Sequence, residues 1–435
     1  MKQTFLEKVG KEVKKDEKKG LTFLDKIFPI YKKQRRHIGH FFTRIKNGTI
    51  SGAADVDPTT IITRIQAGAA TGFSLLWLVV LATPLLIAIE EITATLAVVT
   101  KKGFSRLVKE KLGFTVGVFL VSLVLIAAVA TIGADLGAMI DILATATGFP
   151  DLIIILMLLI IFVLLLFRGS YAFVSRFLYL LTPLLLLFVV SAILAHPNWH
   201  EVWVHTFSPL SGMGDKTRLL ALALLGDVIC PYIVFWQSIE EIEEKKQIKD
   251  LKNEKLGVRF GMIFSSVIFF FVTVVAGTVL FKDGSTLINS ARDAAAALGP
   301  ALGNFSFLIF GIALLASGLV SIPVLAASGA YVASDVFDWK EGLGKKIAQA
   351  KGFYIVLIVA LFLGSAINLL GFHPIKLVVY SQALNGFLMP FILIVLLKLG
   401  FDKKIVGGYT PSIWIKSLAY LTLILFIVLD ILIFV

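Results

Sequence analysis

The stretch Ala53-Ala54-Asp55-Val56-Asp57-Pro58-Thr59-Thr60 interrupts the first of a long series of apolar runs. A carboxylate and a proline together inside a membrane span are costly. The acid resists leaving water, and the proline removes a backbone donor and frees a carbonyl. Such a break is kept where it lines a path for an ion or polar solute. A second break, Asp227-Val228-Ile229-Cys230-Pro231-Tyr232, falls in the corresponding place about five spans later. The pairing points to a transporter.

Working outward, the 435 residues are 57% hydrophobic and 16% charged, with a mean hydropathy of +0.90. A soluble protein this apolar would have too little polar surface to cover its core, so lipid is the expected solvent. The net charge of +12 sits in the N-terminal tail and in loops between apolar runs. Positive charge so placed sets membrane orientation rather than binding nucleic acid. Cys230 is the single cysteine, which excludes an intrachain disulfide. Residues 1–45 read as a basic, partly amphipathic cytosolic tail near anionic lipid, without a cleavable signal sequence. Residues 46–435 read as the transmembrane domain.

Spans of about 20 apolar residues fall near 49–71, 74–99, 113–143, 150–167, 172–195, 217–239, 257–281, 302–331, 352–371, 374–398 and 411–434. Lys/Arg-rich loops follow every even-numbered span, for example Lys101, Lys102, Arg106, Lys109 and Lys111, or Lys245, Lys246, Lys249, Lys252 and Lys255. The N-terminus is therefore expected in the cytoplasm and the C-terminus outside, in a multi-pass cell-membrane protein. Breaks in spans one and six imply two five-span units of opposite orientation, about 49–195 and 217–398, plus an eleventh helix at 411–434.

The site is expected where the breaks meet. Asp57 is the strongest candidate ligand, a hard oxygen donor that also suits the helix N-cap before Pro58. Carbonyls near Ala53 and Ala54 and the Thr60 hydroxyl are further donors, while Asp55 suits a vestibule or cap. Asp227 would bring a second carboxylate toward Asp57. Two acids side by side call for a cation between them or a proton on one, which favours a divalent cation. Cys230, one turn on from Asp227, is either a soft ligand or a small apolar residue. Gln382 is either a ligand or a helix–helix hydrogen bonder. Glu90, Glu91, Asp135 and Asp141 either line an aqueous cavity or pair with a base such as Arg64. The phenylalanine-to-glycine run 310–318 reads as close helix packing. No nucleophile elbow, phosphate loop or metalloprotease motif marks an enzyme.

Asp57-Pro58-Thr59-Thr60, the stretch from Gln66 to Trp77, Leu314–Leu319 and Ser381-Gln382 resemble, in order, the motifs of the Nramp family of divalent metal transporters. The resemblance implies an all-α integral membrane protein of the LeuT type: an inverted repeat of 5+5 transmembrane helices plus an eleventh, with helices one and six broken. Where the family has Met-Pro-His in span six, this chain has Cys230-Pro231-Tyr232. Ala138 stands at a usual Glu, Thr60 at the Asn of the first motif, and Asp227 at a small residue that offers a carbonyl. Gly52–Asp55, Pro231-Tyr232 and Phe235-Trp236-Gln237 are similar to the family's magnesium-transporting branch.

That resemblance implies alternating-access transport of Mg²⁺, with Mn²⁺ accepted and no proton coupling. The alternative is a proton-coupled Mn²⁺/Fe²⁺ transporter of the ordinary family type. The candidate metal set is Asp57, Thr60, Asp227, Cys230, Gln382 and the Ala54 carbonyl. No resident cofactor is expected. The expected partners are the divalent ion and the bilayer, with a monomer compatible.

Overall fold

The structure, a computed structural model, describes residues 56–168, 185–208, 215–281, 288–343 and 345–434. The expected basic tail, Ala54, Asp55 and most of the fifth span lie outside the described residues.

The described chain is helical throughout. Its principal helices are α1 (Pro58–Thr71), α2 (Leu76–Thr100), α3 (Phe104–Leu112), α4 (Phe114–Thr147), α5 (Asp151–Arg168), α6 (Leu185–Leu194), α7 (Trp199–Phe207), α8 (Asp215–Val228), α9 (Pro231–Glu243), α10 (Leu251–Val279), α11 (Ser306–Phe337), α12 (Lys351–Ile367), α13 (Pro374–Gly400) and α14 (Ile413–Phe434). Eight membrane-length apolar helical segments occur among the described residues, with the α8–α9 segment Thr217–Glu243 counted as one. Each of the eleven expected spans coincides with at least part of a helix. α1 and α6 are shorter than a span within the described residues, and α6 meets α7 at a 120° bend. The basic stretch after the second span is a short amphipathic helix, α3, which the span pattern did not foresee. Its Phe104, Leu107 and Val108 are buried while Arg106 and Lys111 face outward.

Local chemistry sets the two starts that matter. α1 begins at Pro58, whose fixed φ suits the first helical turn and whose missing N–H is no loss there. Asp57 before it is extended and caps the helix. α9 repeats the device: Pro231 is its first residue and Cys230 before it is extended. The sixth span is thus two helices, α8 and α9, with Ile229 and Cys230 between them.

Small residues let these segments approach closely. A Cβ on Gly226 of α8 would meet the Gln382 carbonyl at 2.2 Å and Gly386 N at 2.3 Å, so α8 lies directly on α13. A Cβ on Gly68 of α1 would meet the Thr273 carbonyl of α10 at 2.5 Å. Gly318 of α11 faces Met139 of α4 and Pro58, and Gly311 faces Ile142 of α4; both are the close packing expected of that run. α4 packs against α11, α12 and α13, and α1 against α10 and α8. The break residues lie inside this bundle. Large apolar side chains face outward instead on α5, α12 and α14, such as Ile160, Phe362 and Ile424, the surface that lipid would cover.

Candidate functional site at the helix breaks

Three carboxylates converge on the first turn of α1. Asp57 Oδ1 accepts the Thr60 N–H at 2.6 Å and the Thr59 hydroxyl at 2.7 Å. Its Oδ2 has Tyr232 Oη of α9 at 3.5 Å. Asp135 of α4 accepts the Thr59 N–H at 3.0 Å on Oδ1 and the Ser321 hydroxyl of α11 at 2.9 Å on Oδ2. Asp227, at the end of α8, accepts the Thr60 hydroxyl at 2.7 Å. All three acids are buried. The break is held from α11 as well, where Ser317 donates to the Val56 carbonyl at 2.6 Å.

The expected meeting of Asp57 and Asp227 is therefore observed, through Thr60. The expectation is a cation between these acids or a proton on one; the structure adds an internal counter-ion at Asp227. Asp227 Oδ2 is paired with the guanidinium of Arg64, one turn further along α1, and both side chains are fully buried. Arg64 also donates to the Thr60 carbonyl at 3.0 Å, and its guanidinium carbon lies 3.7 Å above the Phe269 ring centroid. Two of the acids considered as partners for Arg64 go elsewhere. Glu91 pairs with Arg259 at 2.5 Å, and Asp141 accepts the Ala291 N–H at 2.5 Å.

Asp57 and Asp135 form no ion pair among the described residues. The break gathers three carboxylates and one guanidinium. Among the described residues no three His, Cys, Asp or Glu side chains are grouped to hold a metal.

Cys230 is buried beside the Tyr232 phenol. Gln382 is buried on α13, and its Oε1 accepts from Asn385 at 2.8 Å. The hydrogen bond foreseen between helices is thus intrahelical at Gln382; Asn385 carries the link to α4 through Thr131 at 3.1 Å. Gln382 Nε2 has no hydrogen-bond partner among the described residues. Sequence reasoning missed Thr59, Ser321 and the carbonyl-holding role of Ser317. A signal was present: Ser317 and Ser321 are four residues apart, on one face of α11.

Fold and site together define a polytopic membrane protein built around discontinuous helices, the architecture of secondary transporters. Residues 48–435 match the profile of the Natural resistance-associated macrophage protein-like (Nramp) family, and the chain belongs to it. It is 28% identical over 251 residues to the Divalent metal cation transporter MntH of Clostridium acetobutylicum, covering 56% of this chain and 55% of that one. Over 398 residues it is 25% identical to the MntH of Bacillus subtilis, covering 88% and 89%. The chain thus spans about half the length of the clostridial relative and most of the bacillar one.

The crystal structure of the Eremococcus coleocola manganese transporter superposes with a TM-score of 0.72 at 20% identity, covering 90% of this chain and 86% of that one. MhsT in complex with L-phenylalanine gives 0.62 at 15% identity, covering 90% and 98%. These likenesses show the fold. It is the LeuT-type arrangement the sequence led one to expect.

Proposed function

We propose that this chain carries divalent metal cations across a membrane by alternating access, with the ion held at the meeting of the two breaks. One observation carries the reading: Asp57 and Asp135, fastened to opposite sides of Thr59, form no salt bridge among the described residues. Ionised around a bound divalent ion, these two carboxylates would balance its charge. Family membership and the names of the relatives support the same substrate class.

In this proposal Asp57, Thr60 and Gln382 face the ion, with the Ala54 carbonyl as a further donor. Cys230 stands as a further, softer candidate donor. Asp227 acts through Thr60 and Arg64. Oxygen donors without a thioether suit Mg²⁺, which keeps several waters and binds through one or two carboxylates, so Mg²⁺ is preferred and Mn²⁺ accepted. An inside-negative potential drives a divalent ion inward by about 4.6 kcal/mol per 100 mV, enough without protons. The Lys/Arg-rich loops after even-numbered spans support a cytoplasmic N-terminus and a C-terminus outside.

Asp135 favours a second reading, proton-coupled uptake of Mn²⁺ or Fe²⁺. A carboxylate without a base, next to the ion ligand, is a proton acceptor.

Proteoliposome uptake separates the two. The expected result is potential-driven Mn²⁺ uptake, inhibited by millimolar Mg²⁺, with no change in lumenal pH. Lumenal acidification with Mn²⁺ and no effect of Mg²⁺ would establish the second reading. No flux of either ion, with the protein folded and inserted, would sink both.

A further inference from the structure

We propose that Arg64 is a tethered counter-ion that sets the charge of the cation site, holding Asp227 out of the ligand set and leaving the break matched to a divalent ion. The inference deepens the reading of this site as a divalent-cation site and rests on it.

Four observations converge. First, the Arg64–Asp227 pair is buried with no solvent-exposed side-chain surface on either partner. Removing either partner of such a pair leaves the other charge uncompensated. Second, the pair is anchored at both ends by the break itself. Arg64 reaches back one turn to the Thr60 carbonyl, and Asp227 takes the Thr60 hydroxyl. The guanidinium is therefore fixed to the residue whose N–H caps on Asp57. Third, Phe269 stacks on the guanidinium at 3.7 Å, a cation–π contact that stabilises the charge in place. Arg64 Nε and Nη2 have no hydrogen-bond partner among the described residues. Fourth, Gly226 seats α8 against α13 beside Gln382, which fixes where Asp227 projects. Asp57 and Asp135 are the acids of the break that form no salt bridge among the described residues.

The charge count gives an unusual prediction. With Arg64 present and all three carboxylates ionised around a bound cation, the surplus is two negative charges. Removing Arg64 alone makes it three, which tightens cation binding and favours trivalent ions. Removing the Asp227 charge alone makes it one, which weakens divalent binding although Asp227 touches no ion. Removing both returns it to two. A direct-ligand role for Asp227 predicts the opposite for the double variant, a loss as deep as that of the single one.

The experiment measures equilibrium Mn²⁺ binding by calorimetry on the full-length chain in detergent, with La³⁺ as competitor and a thermal melt as folding control. Asp227→Asn is expected to weaken Mn²⁺ binding at least tenfold, and adding Arg64→Gln to recover most of that loss. Arg64→Gln alone is expected to tighten Mn²⁺ at least tenfold and La³⁺ more. If either single variant fails to fold, the double variant, which adds no unpaired charge to those of the parent, is compared with whichever single variant remains. A double variant as weak as Asp227→Asn, or an Arg64→Gln protein with parental Mn²⁺ and La³⁺ affinities, overturns the inference alone. A folded parent chain that binds no Mn²⁺ overturns the divalent-site reading and this inference with it.

Discussion

Asp57 and Asp227 meet on a single residue: Asp57 accepts the backbone N–H of Thr60 at 2.6 Å, and the Thr60 hydroxyl donates to Asp227 at 2.7 Å. The two discontinuous segments are thus joined through one threonine. Thr60→Val keeps the side-chain shape and deletes the donor. A buried carboxylate that loses a donor costs about 1–3 kcal/mol. We expect a lower melting temperature for Thr60→Val, while Thr60→Ser stays near the parent.

Asp57 has two separable jobs, capping α1 and meeting the ion. Asparagine caps about as well as aspartate but carries no charge. Asp57→Asn should therefore melt within a few degrees of the parent and lose Mn²⁺ uptake about a hundredfold, the scale of a lost charged ligand at about 2.7 kcal/mol. Asp57→Ala should lose the uptake and also about 1 kcal/mol of stability. Comparing uptake with thermal melts checks both statements.

Asp135 separates the two transport readings. Without proton coupling, Asp135→Asn weakens Mn²⁺ binding about tenfold by removing one negative charge, and leaves the pH dependence of uptake as it was. Loss of a proton flux in that variant, measured with a lumenal pH dye, would point to the coupled mechanism.

Glu341 lies in the loop after α11, outside the spans. Burial first, and then the Asp335 carboxylate, push its carboxyl up to about 8, against the opposing pull of Arg106 and Lys345. An acid whose folded value is raised binds more protons folded than unfolded between its ordinary value and about 8. Its stabilising effect is full at low pH and is lost as pH rises through about 8. The melting temperature of the parent should fall between pH 6 and pH 9, and Glu341→Gln should flatten that slope. An unchanged slope would show that Glu341 does not link stability to protons.

Gly226 allows α8 to touch α13. A methyl there would sit 2.2 Å from the Gln382 carbonyl and 2.3 Å from Gly386 N, both backbone atoms that have no side-chain freedom to retreat. Gly226→Ala should cost about 1–3 kcal/mol and displace Asp227 beside it. Lower thermal stability together with weaker Mn²⁺ binding is the expected pair of readouts.

Much of the fold was legible because its signals are local. Apolar run length marks a span, and Asp57-Pro58 and Cys230-Pro231 mark helix starts wherever they occur. Both observed starts, α1 at Pro58 and α9 at Pro231, fall where that chemistry put them. α3 was missed because nine amphipathic residues are too short to register as a span. At the site, Asp57, Thr60 and Asp227 were legible as neighbours because two breaks in an inverted repeat must meet. Ser317 and Ser321 were passed over because a serine on a small-residue helix face looks like packing until its partner is known.

The sequence by itself determined that this chain crosses a membrane many times, breaks its first and sixth helices, and places acids at those breaks; hydrophobic length and proline geometry act over a few residues. The tertiary structure alone decided which charges cancel. Arg64 meets Asp227, 163 residues away, while Asp57 and Asp135 share Thr59. The physical reason is that a buried charge is stabilised by whatever the packing of distant helices brings within hydrogen-bonding reach, and nothing in the local pattern around Arg64 names that partner.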